Sequence, residues 1–332
     1  MRRFIYSLIL ALVVFNNSAQ SNNSLKRLDK IFDELEVIKE FNGNIFIGKN
    51  DSIIYHRSIG YADFENKIPN TKETVFELAS MSKQFTAMAI MILKENGEFS
   101  FDDKVAKYIS GFPYSTITIR QLLTMSSGIS DYLNFSESWD VKQIVTNASI
   151  VEYYNTVKPE LEFEPGFRFG YSNVNYVFLA EIVKNVSSNS FSSFLKEHIF
   201  DKLNMSATRS YTTRFSKNEV ISNYAFPYIK KDESYIKTEE NTNTRYVVAA
   251  SGIEGDGSII STTVDLMKWV NAIKNGELVM PYSARECHMH VLGITRSGKS
   301  RFLFDCIKQD ILNGYGVCLI DPHGELYDLV IN

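Results

Sequence analysis

The chain has 332 residues, 44% hydrophobic and 22% charged, enough for one large domain or two ordinary ones with a real core. Its net charge of −4, with both signs mixed along the chain, gives no basis for nonspecific binding to nucleic acid or other polyanions. Residues 1–286 contain no cysteine: Cys287, Cys306 and Cys318 all fall in the last stretch, as do His288, His290 and His323. Unpaired thiols suit a reducing compartment, so the skew marks a place to look for a junction.

Arg2 and Arg3 precede an apolar run from Phe4 to Phe15, and small residues follow at Ser18, Ala19 and Ser21. This is the layout of a secretory signal over residues 1–21. A span of the bilayer needs about 20 apolar residues, so no stable membrane span is expected. The protein is expected to be exported, periplasmic or secreted.

Leu25, Leu28, Ile31, Phe32, Leu35 and Ile38 recur on one face and predict an amphipathic helix. "GNIFIG" and "SIIYHRSIGYA", separated by Lys49-Asn50-Asp51, predict a β-hairpin. "SMSKQFTAMAIMILK", Ser80 to Lys94, is apolar on nearly every side and predicts a helix in the centre of a domain, ended by Asn96-Gly97. "TITIRQLLTMSSGISDY", "SFSSFLKEHIFDKL" and "TTVDLMKWVNAIKNG" add helices and loops. No internal repeat or low-complexity linker occurs.

Two short patterns carry chemistry. Ser80 and Lys83 are three apart, which puts both on one face of a helix. A serine hydroxyl is a weak nucleophile until a base takes its proton. Burial disfavours a lysine's charged form, so a buried lysine can serve as that base or share a proton with one. A helix N-terminus also favours the developing negative charge. By itself S-x-x-K is a weak signal, with roughly one chance match in a chain this long. The bland alternative, a surface Ser beside a snorkelling Lys, sits badly in a helix with so little polar surface. The second pattern is "PGFRFGYSN", which places Tyr171 and Asn173 on a loop entering the helix "VNYVFLAEIVKNV". A positive charge beside a tyrosine favours its phenolate.

Together these segments resemble the penicillin-recognising serine hydrolases: class C type β-lactamases, D-alanyl-D-alanine peptidases and related esterases. "FELASMSKQFTA" resembles their nucleophile motif, and "YSN" their second motif, where other branches use S-D-N. "GYADFENKIPNTKETVF", "ITIRQLLTMSSGISDY", "IFDKLNMSATRS" and "GSIISTTVDLMKWVNAIKNG" follow the family order, and the resemblance runs from about residue 42 to 278. It implies Ser80 as acylated nucleophile, Lys83 as its activating partner, and Tyr171 as base and then proton donor. Asn173 would orient the substrate amide and Lys83, and the Ser80 N–H would be half of an oxyanion hole. Met125 stands where the family often has histidine, a position of mostly structural meaning. No cofactor is implied. The substrate would be a small molecule or peptidoglycan-type compound: a β-lactam, a D-Ala-D-Ala peptide or an ester.

The family's third motif, Lys-Thr-Gly or His-x-Gly on a strand after the helix ending at Asn275, does not occur in the sequence. Its strand supplies the second oxyanion donor, and loss of one such donor costs about 10²–10³-fold in rate. The N-terminal hairpin would then lack its sheet partners. "GITRSGKS" follows instead, matching G-x-x-x-x-G-K-[ST] at Gly293, Gly298, Lys299 and Ser300. "HMHVLG" before it and "SRFLFDCIKQDIL" after it supply strand and helix. Such a loop binds nucleotide phosphates, with Lys299 on the β/γ oxygens and Ser300 on Mg²⁺. With "GVCLIDPHGEL" the segment from about 285 to 332 resembles the opening of conjugative DNA-transfer ATPases, for which ATP and Mg²⁺ are implied.

The expectation is therefore an α/β (α+β) chain: a signal at 1–21, a C-terminally incomplete serine β-lactamase-like domain at 22–280, and a strand–P-loop–helix–strand fragment at 281–332. A serine hydrolase acting through an acyl-enzyme leads, with activity impaired by the missing motif. A nucleotide-binding fragment of a DNA-translocating ATPase, or an inactive fusion, are the alternatives. No nucleic-acid partner is expected for the hydrolase part.

Overall fold

The computed structural model describes residues 25–37, 41–49, 52–140, 143–212, 221–231, 234–241 and 246–275, all within one compact unit. The expected signal at 1–21, the junction near 278–284, the phosphate loop (Gly293, Gly298, Lys299, Ser300) and the three cysteines lie outside these residues.

The first element is the expected amphipathic helix, α1, over residues 25–37. The hairpin follows as β1 (Gly43–Lys49) and β2 (Ser52–Ile59), antiparallel, with Gly43 opposite Ile59 and a register shift at Ile47/Gly48. Side chains of α1 clasp β2. The Phe32 ring stacks on Tyr55 at 6.0 Å, Tyr55 donates to Asp29 at 2.8 Å, and Arg57 reaches Asp33 and Glu36 at 2.7 and 2.9 Å. Among the described residues this sheet has two strands. A lone hairpin is marginal, so the packing of α1 matters to it.

A short pair, β3 (Tyr61–Asp63) and β4 (Ile68–Pro69), leads to β5 (Phe76–Glu77). From β5 the chain enters α2 (Lys83–Glu95), which exposes only Gln84 and Glu95. Next come α3 (Ile119–Leu123), with a Thr118–Gln121 capping box, and α4 (Asn147–Val157), with a Thr146–Ser149 capping box. Such reciprocal pairs satisfy amide donors left free at a helix start. In α5 (Val174–Ser187) every residue from Val174 to Val183 is buried. The helix α6 (Phe191–Leu195) runs into one π-helical turn, Lys196–Phe200. The remaining elements are β6 (Arg209–Ser210), the hairpin β7 (Tyr228–Lys231) and β8 (Ser234–Lys237), α7 (Tyr246–Ala249), β9 (Ile259–Ser261) and α8 (Thr263–Asn275).

Two features of this arrangement position the site. β9 is the centre of a three-stranded sheet ordered β5-β9-β6, with Phe76 opposite Ser261 and Arg209 opposite Ile260. It thereby holds the start of α2 beside residues 255–258. The core then clamps α2 and α5 with aromatic rings. Phe85 lies 5.5 Å from Phe200 and 4.3 Å from Trp269, and Phe178 lies 5.1 Å from Phe112 and 5.4 Å from Tyr154. Such pairs prefer tilted or edge-on contact, which resists sliding of one helix past another.

Candidate active site

The helix predicted to start at Ser80 starts three residues later. Leu78 donates its N–H to Ile259 O at 2.8 Å, extending the sheet, and Ala79 then takes a left-handed conformation with φ of 45°. A tight 3₁₀ turn, Ala79–Ser82, carries Ser80 off the sheet before α2 opens at Lys83. A non-glycine residue in that region is strained by about 1–3 kcal/mol. The turn leaves Ser80 exposed while Lys83, three residues on, is 5% exposed. Ser82, between them, is buried and accepts from the Ile259 N–H at 3.2 Å, pinning the turn to β9.

Tyr171 and Asn173 arrive on the expected loop just ahead of α5. The four residues singled out by motif meet. Ser80 Oγ and Tyr171 OH lie 2.8 Å apart, and Lys83 Nζ donates to Ser80 Oγ at 3.1 Å. Lys83 Nζ also donates to Asn173 Oδ1 and to the carbonyl of Asp256, each at 2.8 Å. Three acceptors match the three N–H bonds of an ammonium. When all three are used, Ser80 Oγ accepts a hydrogen bond from Lys83, and its contact with Tyr171 OH can run in either direction.

Three further residues support this cluster; Asp131 and Tyr132 end the family-like segment "ITIRQLLTMSSGISDY", but nothing in the sequence assigned any of the three a role. Asp131 Oδ2 accepts from both the backbone N–H and the side-chain amide of Asn173, at 2.7 and 2.9 Å. Tyr132 OH donates to Asp256 Oδ2 at 2.5 Å. Burial pushes the Asp256 carboxyl above the usual carboxylate range, opposed by the Lys83 charge and the Tyr132 bond. Gly255, beside it, accepts from Thr86 Oγ1 at 2.6 Å. Its φ is +102°, and a Cβ there would fall 2.3 Å from the Tyr176 carbonyl oxygen on α5, so only glycine fits. Met125 is buried, and its sulfur accepts from Asn175 Nδ2 at 3.4 Å, in keeping with a structural part.

No group of three or more His, Cys, Asp or Glu side chains is disposed to hold a metal among the described residues. Among them, no helix is long and apolar enough to cross a membrane.

Comparison with known proteins gives the family and the fold. The family model described as Beta-lactamase matches residues 36–290, most of the chain. Penicillin-binding protein 4* of Bacillus subtilis (strain 168) is 38% identical over 260 residues, covering 77% of this chain and 57% of that protein. The chain spans about half the length of the curated relatives it matches. The crystal structure of a penicillin binding protein from Bacillus halodurans is 26% identical with a TM-score of 0.66, covering 79% of each chain. The D-amino acid amidase of Ochrobactrum anthropi SV3 shares the fold, with a TM-score of 0.63 at 24% identity over 80% of this chain and 74% of that one. The fold is thus a serine β-lactamase-like α/β fold, and by the span of the family match the chain belongs to the Beta-lactamase family.

Proposed function

We propose that the chain is a serine hydrolase that acts through an acyl-enzyme at Ser80. The observation that carries the reading is the convergence of a phenol and an ammonium on that hydroxyl. Its neighbours are Tyr171 OH at 2.8 Å and Lys83 Nζ at 3.1 Å, and the lysine donates. A lysine that donates cannot also take the serine proton, so of the two neighbours Tyr171, acting as phenolate, is assigned as its acceptor. Ser80 Oγ attacks the substrate carbonyl carbon while its proton passes to Tyr171. The tetrahedral intermediate collapses by breaking the bond to the leaving nitrogen or oxygen, which takes the proton back from Tyr171. Water, deprotonated by the resulting Tyr171 phenolate, then attacks the acyl carbon; the ester bond to Ser80 Oγ breaks, Ser80 takes the proton from Tyr171, and the acid leaves. Lys83 keeps its proton throughout and stabilises negative charge on Tyr171, its Nζ being 5.2 Å from that ring's centre. Asn173 orients Lys83 and the substrate amide, and the Ser80 N–H serves as one oxyanion donor.

The substrate class is a carboxylic amide or ester with a D-configured or β-lactam acyl part. That choice rests on the family and on the names of two relatives, a penicillin-binding protein and a D-amino acid amidase. Export by way of residues 1–21, from a domain ending near residue 280, belongs to the same proposal.

A fluorescent penicillin and a fluorophosphonate test the reading. Covalent label on the wild type and none on Ser80→Ala is the expected result. Equal labelling of both, or no label on the wild type with either probe, refutes it.

A separate reading attaches to residues 281–332 and rests on the complete G-x-x-x-x-G-K-S pattern alone. It is nucleotide-phosphate binding by Gly293, Gly298, Lys299 and Ser300, with ATP and Mg²⁺ as ligands. Nucleotide binding lost in Lys299→Ala supports it, and none in the wild type refutes it.

A further inference from the structure

Lys83 has two acceptors besides the serine, and they come from distant parts of the chain: the Asn173 side chain and the Asp256 carbonyl. Each is secured by one member of a single dipeptide. Asp131 Oδ2 takes both N–H groups of Asn173, which leaves Asn173 Oδ1 turned to the lysine. Tyr132 OH holds the Asp256 carboxyl at 2.5 Å, which fixes the peptide whose carbonyl faces the lysine. The dipeptide is itself anchored. Asp131 Oδ1 accepts from the Leu133 N–H at 2.9 Å at the start of a 3₁₀ turn, and the Tyr132 ring stacks on Trp139 at 5.7 Å.

We propose that Asp131 and Tyr132 are positioning residues that together hold the Lys83 ammonium on Ser80, one through Asn173 and the other through Asp256. They touch no reacting atom. A buried ammonium needs its donors satisfied, and a lysine side chain has four rotatable bonds by which to drift. Two braces from adjacent residues remove that freedom at little cost, because they move as one unit. The arrangement also places one acidic side chain on each side of the lysine, with Asp131 behind Asn173 and Asp256 behind its own carbonyl. The inference deepens the hydrolase reading of this site, but the position of the ammonium can be read without any substrate.

The test uses the full chain grown with ¹⁵N-labelled lysine. The wild type should show one slowly exchanging ammonium resonance that is absent from Lys83→Met. In Tyr132→Phe, which keeps the ring stack on Trp139, exchange of that ammonium should be at least tenfold faster. Asp131→Ala, which removes the oxygen that accepts from Asn173, should do the same. Tyr154→Phe is the control. It removes another buried phenol, donated to the Ser130 carbonyl at 2.6 Å, and should leave the resonance unchanged even if it lowers Tm. Acylation by the fluorescent penicillin should slow at least tenfold in the two brace variants, with noncovalent affinity for the probe retained. No slowly exchanging ammonium in the wild type, or wild-type exchange in Tyr132→Phe and Asp131→Ala, overturns the inference. So does acceleration in Tyr154→Phe equal to theirs. A wild type that shows the ammonium resonance but takes no label leaves the brace standing and removes the hydrolase reading instead.

Discussion

Replacing Tyr171 by Phe deletes one oxygen atom and should remove most of the chemistry. Ser80 Oγ has two hydrogen-bonding neighbours among the described residues, at 2.8 and 3.1 Å, and the Lys83 ammonium cannot accept. Tyr171→Phe therefore leaves the serine proton with no acceptor but solvent. General bases in this role contribute about 10²–10⁴-fold, or roughly 3–5 kcal/mol of barrier. The ring is 42% exposed, and its hydroxyl faces the site rather than the core, so Tm should stay within about 2 °C of wild type. The assay is the time course of covalent labelling over a range of penicillin concentrations, which separates noncovalent affinity from the acylation rate. The rate should fall by at least a hundredfold while affinity changes less than threefold. A variant that acylates at more than about a third of the wild-type rate would refute the assignment of Tyr171 as proton acceptor.

Other perturbations probe the frame around the site. Phe85 is fully buried between Phe200 and Trp269, so Phe85→Ala should cost about 3–5 kcal/mol and lower Tm by roughly 6–20 °C in a thermal melt. A loss below 1 kcal/mol would contradict the packing described. Gly255→Ala forces a Cβ onto the α5 backbone at a left-handed position and should cost roughly 2–5 kcal/mol in chemical denaturation, with acylation slowed because the adjacent Asp256 carbonyl moves. Wild-type stability in this variant would show that residues 255–256 are not so closely held. Bonds from Tyr108 and Lys107 hold the Asp103 carboxyl down at about 2. A depressed acid stabilises the fold above its unfolded value, near 3.8, and that contribution disappears as pH falls through about 2. Because the pair with Lys107 is partly exposed, the contribution is on the order of 1 kcal/mol. Asp103→Asn should lower stability at pH 6, with the deficit shrinking as pH falls toward and below about 2. A deficit independent of pH would contradict this.

The parts of the site legible in the sequence are those set by short spacing. Ser80 with Lys83, and Tyr171 with Asn173, sit within three residues of each other, so local geometry delivers each pair to the site together. Asp131, Tyr132 and Asp256 carry no such mark. Asp256 meets Lys83 through a backbone carbonyl, a group that every residue has, across 173 positions in sequence. Tyr132 and Asp256 pair across 124 positions. Helical periodicity also extended α2 back to Ser80, because an apolar pattern does not register a left-handed residue. The turn at Ala79 is set by strand pairing of Leu78 with Ile259, which is a tertiary contact. The amphipathic helix, the hairpin and the two buried helices were legible because their periodicity follows directly from burial.

The most direct test is the location of the acyl adduct after reaction with a penicillin. Trypsin should release residues 73–83, "ETVFELASMSK", which holds two serines. Fragmentation of the modified peptide should place the adduct on exposed Ser80, which contacts Tyr171, and not on Ser82, which is fully buried. An adduct on Ser82, on another peptide, or on Ser80→Ala protein would contradict the account.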